Sequence, residues 1–329
     1  MPFIICTFII FLLIFSKNNL LAAKTGLNLW ASSVVPTLLP FFIATELLGY
    51  TNVVLLCGKL LKFIMRPIFN VPGEGAFPLL MGIISGYPVG AKIVANLKEQ
   101  KLCTDVEAER LLSFTNNSGP LFIVGTVGVG LFSNPSIGFT LLITHILSCL
   151  TVGFIFRWWG INREKNYRSN EYVIENNSNL SFNNLGEVLA KSIVSSINTC
   201  LMIGGFVVLF SIIISMLQTS KIFYTISNLL NIIGVPQFVS IGLITGFIEV
   251  TNGISFICNQ IFNCNLKIIL CAFVLGFGGF SVLLQVLSIT SKAKISIKPY
   301  FVGKLLQAFF AAFYTYLIIW TKLFFIKIL

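Results

Sequence analysis

Residues 72–92 read PGEGAFPLLMGIISGYPVGAK. The stretch is apolar, yet Pro72, Pro78 and Pro88 and the glycines between them forbid one straight helix. Proline removes a backbone donor and clashes with the preceding turn, and each glycine costs about 1 kcal/mol against alanine in a helix interior. Greasy composition with helix-breaking punctuation recurs three times. Residues 113–130 read SFTNNSGPLFIVGTVGVG, residues 242–256 read GLITGFIEVTNGISF, and residues 275–285 read LGFGGFSVLLQ. Broken backbone in an apolar frame is tolerated at membrane depth only where it is buried in protein or lines a cavity.

The rest of the chain supplies that frame. Of 329 residues 56 % are hydrophobic and 10 % charged, against about 25 % charged in a soluble domain. With a mean hydropathy of +0.92, a cytosolic enzyme, a disordered chain and a disulfide scaffold are excluded. Apolar runs cover residues 2–16, 27–50, 76–95, 111–132, 136–158, 189–217, 238–258, 266–291 and 300–326. Most reach the roughly 20 residues that a spanning helix needs and lack the alternation of barrel strands. Residues 52–70, with Lys59, Lys62 and Arg66 about a turn apart, read as an amphipathic helix, and residues 221–234 resemble them. Thr104 and Glu107 form a capping-box pattern that starts a helix at about Asp105. The expected fold is an all-α polytopic membrane protein of about 8–10 transmembrane or re-entrant helical segments, in two internal repeats with broken helices.

The repeat is visible in the breaks. Gly82-Ile83-Ile84-Ser85-Gly86-Tyr87 matches Gly242-Leu243-Ile244-Thr245-Gly246-Phe247 at an offset of 160 residues. The same offset takes Asn117-Ser118-Gly119 to Phe277-Gly278-Gly279. Residues 1–25 therefore read as an N-terminal span and loop, 26–158 as a first repeat, 159–187 as a polar linker and 188–329 as a second repeat. Paired broken segments point to a transporter's binding site, where half-helix N-termini offer free N–H groups to an anion.

Net charge is +11, from 22 Lys and Arg against 11 Asp and Glu. The basic residues sit in short connections, among them Lys17, Lys24, Lys98, Lys101, Arg157 and Arg163. That is the positive-inside pattern, not a nucleic-acid groove. The basic residues around the 160–187 linker favour the cytoplasm for that segment. Eight scattered cysteines form no C-x-x-C pair and His145 is the one histidine, so no zinc cluster is expected; Cys258 and Cys264 alone stand close enough to pair near a polar turn. The first apolar segment lacks a basic n-region and a small-residue cleavage site, so it reads as a retained span.

The residues expected to matter are polar groups at the breaks. Lys92 either pairs with a substrate carboxylate or snorkels to the interface. Glu74 binds a coupling cation, caps a half-helix, or keeps Lys92 charged. Glu249, a carboxylate inside an apolar run, is a functional candidate, with a salt bridge at the bundle end as the alternative; Glu46 reads as interfacial. Thr115, Asn116, Asn117 and Ser118 either contact substrate or merely form a turn that caps the next half-helix. Asn252, Ser281 and Gln285 are weaker candidates of the same kind. Gly82, Gly86, Pro88, Gly119, Pro120, Gly242, Gly246 and Gly279 are the expected break positions. Tyr87 and Phe247 read as core packing before ring stacking, and His145 as a satisfied core histidine. No nucleophile–base constellation and no G-K-[ST] phosphate loop appears, so an enzyme ranks last.

NVPGEGAFPLLMGIISGYPVGAKIV (residues 70–94), EAERLLSFTNNSGPLFIVGTVGVGLF (107–132) and GLNLWASSVVPTLLPFFIATELLG (26–49) closely resemble the YlbJ-type sporulation integral membrane proteins, in the nucleoside-recognition or Gate-domain group. The likeness is detailed over residues 26–132 and more general in the second half. It implies a relative of concentrative nucleoside transporters with re-entrant hairpins. The implied activity is export of dipicolinic acid from the mother cell across the outer forespore membrane. The expectation is thus a transporter of a small organic anion. A nucleoside transporter and a non-transporting structural or assembly component of a spore membrane complex are the alternatives. The expected partners are the lipid bilayer and a small anionic substrate, without nucleic acid. Oligomeric state is open. No cofactor is expected, and coupling to Na⁺ or H⁺ is compatible with the pattern.

Overall fold

A computed structural model of the chain describes residues 2–164, 184–232 and 234–328. All regular structure among them is helical. Most of the 160–187 linker, residues 165–183, lies outside the described residues. The elements are α1 (Pro2–Ile14), α2 (Ser16–Leu29), α3 (Val35–Gly49), α4 (Val53–Ile64), α5 (Ala76–Ser85), α6 (Val89–Glu99), α7 (Asp105–Thr115), α8 (Pro135–Phe156) and the short α9 (Ile161–Glu164). After the linker come α10 (Leu185–Thr219), α11 (Ile222–Ile232), α12 (Gln237–Ile248), α13 (Val250–Asn259), α14 (Cys264–Phe277), α15 (Gly279–Thr290) and α16 (Lys298–Ile328). Wider π-helical turns follow α2 (Trp30–Val34) and α4 (Met65–Phe69), and a π-helical segment, Leu121–Leu131, precedes α8.

Four helical stretches among the described residues are long and apolar enough to cross a bilayer: Pro135–Phe156, Leu185–Thr219, Cys264–Thr290 and Lys298–Thr321. Two bent pairs raise the number to six if each is one span. The helix ends follow their local chemistry. The Thr104 hydroxyl accepts the Glu107 amide (3.1 Å) and the Glu107 carboxylate accepts the Thr104 amide (2.9 Å), the reciprocal cap expected at α7. Asn134 caps α8, its side chain accepting the Ser136 amide with Pro135 at the first helical position.

The offset of 160 residues carries α5 onto α12, α6 onto α13, α7 onto α14, the segment Leu121–Leu131 onto α15, and α8 onto α16. Each half is thus a helical hairpin, a helix broken in the middle, and a long span. The halves insert in opposite senses. Arg110 on α7 donates to the carbonyls of Asn70 and Trp159 (both 2.8 Å), so α7 starts at the same end of the bundle as α8 finishes. Asn134 at the start of α8, Asn265 at the start of α14 and Ile318 late in α16 line one crevice at the opposite end. The loop after α6 defines end A below, and the loop after α13 defines end B.

Three expectations need correction. The first apolar segment does not stand alone as a span: α1 turns by 100° into the helix that follows. That helix begins at Ser16, through a polar stretch read as a connection, because Asn19 is buried there with its amide donated back to the Phe11 carbonyl (3.1 Å) and because α2 packs along α10. Cys258 does not face Cys264. Its sulfur lies 3.8 Å from that of Cys271, two turns into α14, and all eight cysteines are free thiols.

Candidate functional site

The first hairpin closes at Gly86, whose φ of +84° is the left-handed geometry that glycine adopts without strain. Its arms grip the break in the neighbouring helix. The Thr115 carbonyl sits against the α-carbons of both Gly82 and Gly90, where no side chain fits. Freed from helical bonding, the next residues are satisfied by side chains from elsewhere. Asn116 accepts the Ala91 amide (3.4 Å) and donates to the Tyr300 hydroxyl (3.0 Å). Asn117 donates to the Phe114 carbonyl (2.8 Å) and accepts from the Gln307 amide (2.9 Å). The Ser118 amide donates to His145 Nε2 (3.2 Å), and its hydroxyl donates to the Tyr87 oxygen (2.8 Å).

The second hairpin turns at Glu249, which is extended (φ −147°) between α12 and α13. Its carboxylate folds onto the start of α13 and accepts the Thr251 and Asn252 amides at 3.1 and 2.8 Å. A helix N-terminus is a favourable place for a negative charge, which is how a carboxylate is held here at 3 % exposure. The second break lies at Gly278 and Gly279, with φ of +82° and +85°. No side chain caps α15 beyond it, so its first amides remain available as donors. Ser281 accepts from the Gln285 amide (3.4 Å) on the same face of α15.

Both hairpin tips, the first break and the first turns of α15 after the second break meet at one cavity with about 90 Å³ of free space. One wall is apolar, from Leu29, Val34 and Leu38 on the α2–α3 side and Ile203 and Val207 on α10. The other carries the polar groups of Tyr87, Ser118, Glu249, Thr251, Ser281 and Gln285 among Phe122, Val250 and Val282, so the lining as a whole is mostly apolar. The cavity is level with the middle of the bundle: Ile203 is near the centre of α10, and His145, bonded to Ser118, is near the centre of α8. Hydroxyls, an amide, a capped carboxylate and an open half-helix terminus make this a place to bind a small polar molecule. Among the described residues no three His, Cys, Asp or Glu side chains come together as a metal site.

Comparison with known proteins agrees with this layout. Residues 31–157 match the Gate family, described as nucleoside recognition. The sporulation integral membrane protein YlbJ of Bacillus subtilis (strain 168) is 39 % identical over 318 residues, covering 92 % of this chain and 78 % of that protein. The chain belongs to the YlbJ family. A double variant of CNTnw in an outward-facing state has a similar structure, with a TM-score of 0.51 and 16 % identity over 88 % of this chain and 76 % of that one. This YlbJ-family chain therefore shares its fold with that CNTnw structure.

Of the residues singled out from the sequence, Ser118, Glu249, Ser281 and Gln285 line the cavity of this YlbJ-family protein, together with the break glycines Gly86 and Gly119. Asn252 contributes its backbone amide to Glu249, and its side-chain amide is buried without a partner. Thr115, Asn116 and Asn117 stand one layer behind, where Asn116 and Asn117 tie the break to α16. Lys92 and Glu74 are elsewhere. The Lys92 ammonium is engaged by Glu46 and by the Ser195 (2.9 Å) and Thr199 (3.3 Å) hydroxyls. Glu46, not Glu74, is thus the partner of Lys92. Glu74 lies over the backbone of Gly58 in α4 and makes no capping bond to α5.

Sequence reading missed the charge behind the first break. Lys304 on α16 is 2 % exposed and donates to Gln307 (2.8 Å), whose amide reaches both Asn117 and His145 Nε2 (3.4 Å). Lys304 lies within the apolar run 300–326, was not singled out there, and points inward. The signal was present: Tyr300, Lys304, Gln307 and Thr315 fall on one face of α16 at helical spacing. Tyr87, read as core packing, lines the cavity and holds the Ser118 hydroxyl.

Proposed function

We propose that this YlbJ-family chain is a secondary transporter that moves a small organic anion through the central cavity. Dipicolinate leaving the mother cell across the outer forespore membrane is the substrate and route the family resemblance implies. The observation that carries the reading is the convergence of both hairpin tips, the first helix break and the start of α15 on one cavity at the level of the span centres. Charge supports an anion. Glu249 spends its charge on the α13 amides, and the α15 terminus offers uncapped donors. Lys304 places a buried amine, with a neutral hydrogen-bond partner, behind the Ser118 wall, where it is a cation once protonated. In a low-dielectric interior such a cation attracts an anion far more strongly than in water. The cavity lining itself, hydroxyls with one carboxylate and no cation, favours a second reading, a neutral hydroxylated solute such as a nucleoside.

The test is flux of labelled dipicolinate into proteoliposomes, with uridine as competitor. The expected result is flux above that of empty liposomes, unaffected by uridine and lost in Ser118→Leu, which fills the cavity. Lys304→Met is expected to lower dipicolinate flux at least tenfold, the effect of removing about 1.4 kcal/mol of attraction. Uridine transport with no dipicolinate flux would favour the second reading. Flux of neither would leave a structural role in the spore membrane.

A further inference from the structure

A second cavity, of about 300 Å³, opens between the central one and end A. The two lie one after the other along the same helices. Along α3, Leu38 faces the central cavity and Glu46, two turns on, faces the second; along α10, Ile203 faces the first and Thr199, one turn away, the second. A bond between the Thr45 and Ser85 hydroxyls (3.1 Å) ties α3 to the first hairpin between them. The second cavity holds what the first lacks, a lining cation. Lys92 projects into it from α6, beside Asn96 on the same helix, Gln100 just past its end and Tyr50 just beyond α3.

The Lys92–Glu46 pair is lopsided. Ser195 and Thr199 anchor the ammonium to α10, so it stays in the cavity whatever Glu46 does. Among the described residues Glu46 is held by the ion pair with Lys92 and by no hydrogen bond to another group. A partly exposed ion pair in which one member is anchored and the other is not is a site where an incoming anion can take the loose partner's place. The two carboxamides and the phenol around it supply further donors to carboxylate oxygens.

We propose that this end-A cavity is a second, anion-selective binding site, a vestibule in which a small mono- or dicarboxylate displaces Glu46 from Lys92 before passing to the central cavity. The proposal rests on the reading of the chain as an organic-anion transporter. The experiment is equilibrium binding of labelled dipicolinate to the full chain in nanodiscs, run beside the flux assay. Glu46→Gln removes the competing charge and is expected to tighten binding about tenfold, while Lys92→Gln weakens it by about the same factor. Asn96→Leu, which crowds the cavity and leaves the ion pair intact, is expected to weaken binding too. Matched melting curves confirm that each variant folds.

Opposite signs for Glu46→Gln and Lys92→Gln are the signature, because a purely structural strut loses equally from either end. Weakening by both substitutions, Lys92→Gln binding like wild type, or a wild type that binds nothing each overturns the vestibule. Absence of flux in the wild type, whatever the binding, overturns the transport reading instead.

Discussion

Asn117 shows how a helix can be broken inside a bilayer without loss. Its side chain replaces a missing helical bond by donating to the Phe114 carbonyl and takes the Gln307 amide from the other half of the molecule. Asn117→Ala strands the Gln307 amide in a buried site, so it is expected to cost about 1–3 kcal/mol, read as a lower unfolding temperature in detergent. A wild-type melting curve for that variant would show the bond to be dispensable. At this scale the sequence was legible where a polar residue interrupted an apolar run. Glu249 stood out because carboxylates are rare there. Lys304 did not, because a single lysine near the start of a long apolar run carries no mark of direction, and only the angular spacing of its polar neighbours shows that it faces inward. Lys92 was noticed, but the distance between one turn of a helix and the next decided which cavity it entered.

At the scale of elements, the two hairpins depend on backbone contact. Thr115 fits against both arms of the first hairpin only because Gly82 and Gly90 lack side chains, and Gly253 sits on Gly246 across the second. Gly90→Val is expected to force the arm off the break, because the obstacle is backbone, not a movable side chain. The cost should exceed about 3 kcal/mol, visible as lost monodispersity on size-exclusion chromatography; a well-folded Gly90→Val protein would argue against this packing. Break positions were legible from Gly and Pro spacing because those residues act locally. Helix limits set by tertiary contact were not. The polar start of α2 is helical through its packing on α10, and the 100° turn after α1 leaves no mark that composition can show.

At the scale of the whole molecule, end A gathers Lys98, Lys101, Arg157, Arg163, Lys292 and Lys294, whereas end B carries Lys267 near the start of α14 and Lys17 and Lys221 where α2 begins and α10 ends. The positive-inside rule predicts that end A faces the cytoplasm. Native Cys264, exposed at end B, is then expected to react with an impermeant maleimide added outside intact cells. Lys101→Cys in a Cys264→Ser chain should react only after the membrane is opened; the reverse pattern would invert the orientation and move the vestibule to the outside. The internal offset of 160 residues was legible because both pairs of breaks kept it. That the halves insert oppositely was not, because hydropathy is blind to direction. Their charges, however, record it. Lys98 and Lys101 of the first half correspond to Cys258 and Ile261 of the second, while Lys292 and Lys294 of the second correspond to Phe132 and Asn134 of the first. Each copy has kept its lysines where the other has none. Two copies of a half-length ancestor, free at first to enter the bilayer either way round, would have needed just this division of charge to become locked as an antiparallel pair. On that account a split gene expressing residues 1–164 and 184–329 as separate chains should still assemble, because the orientation of each half is written into its own lysines.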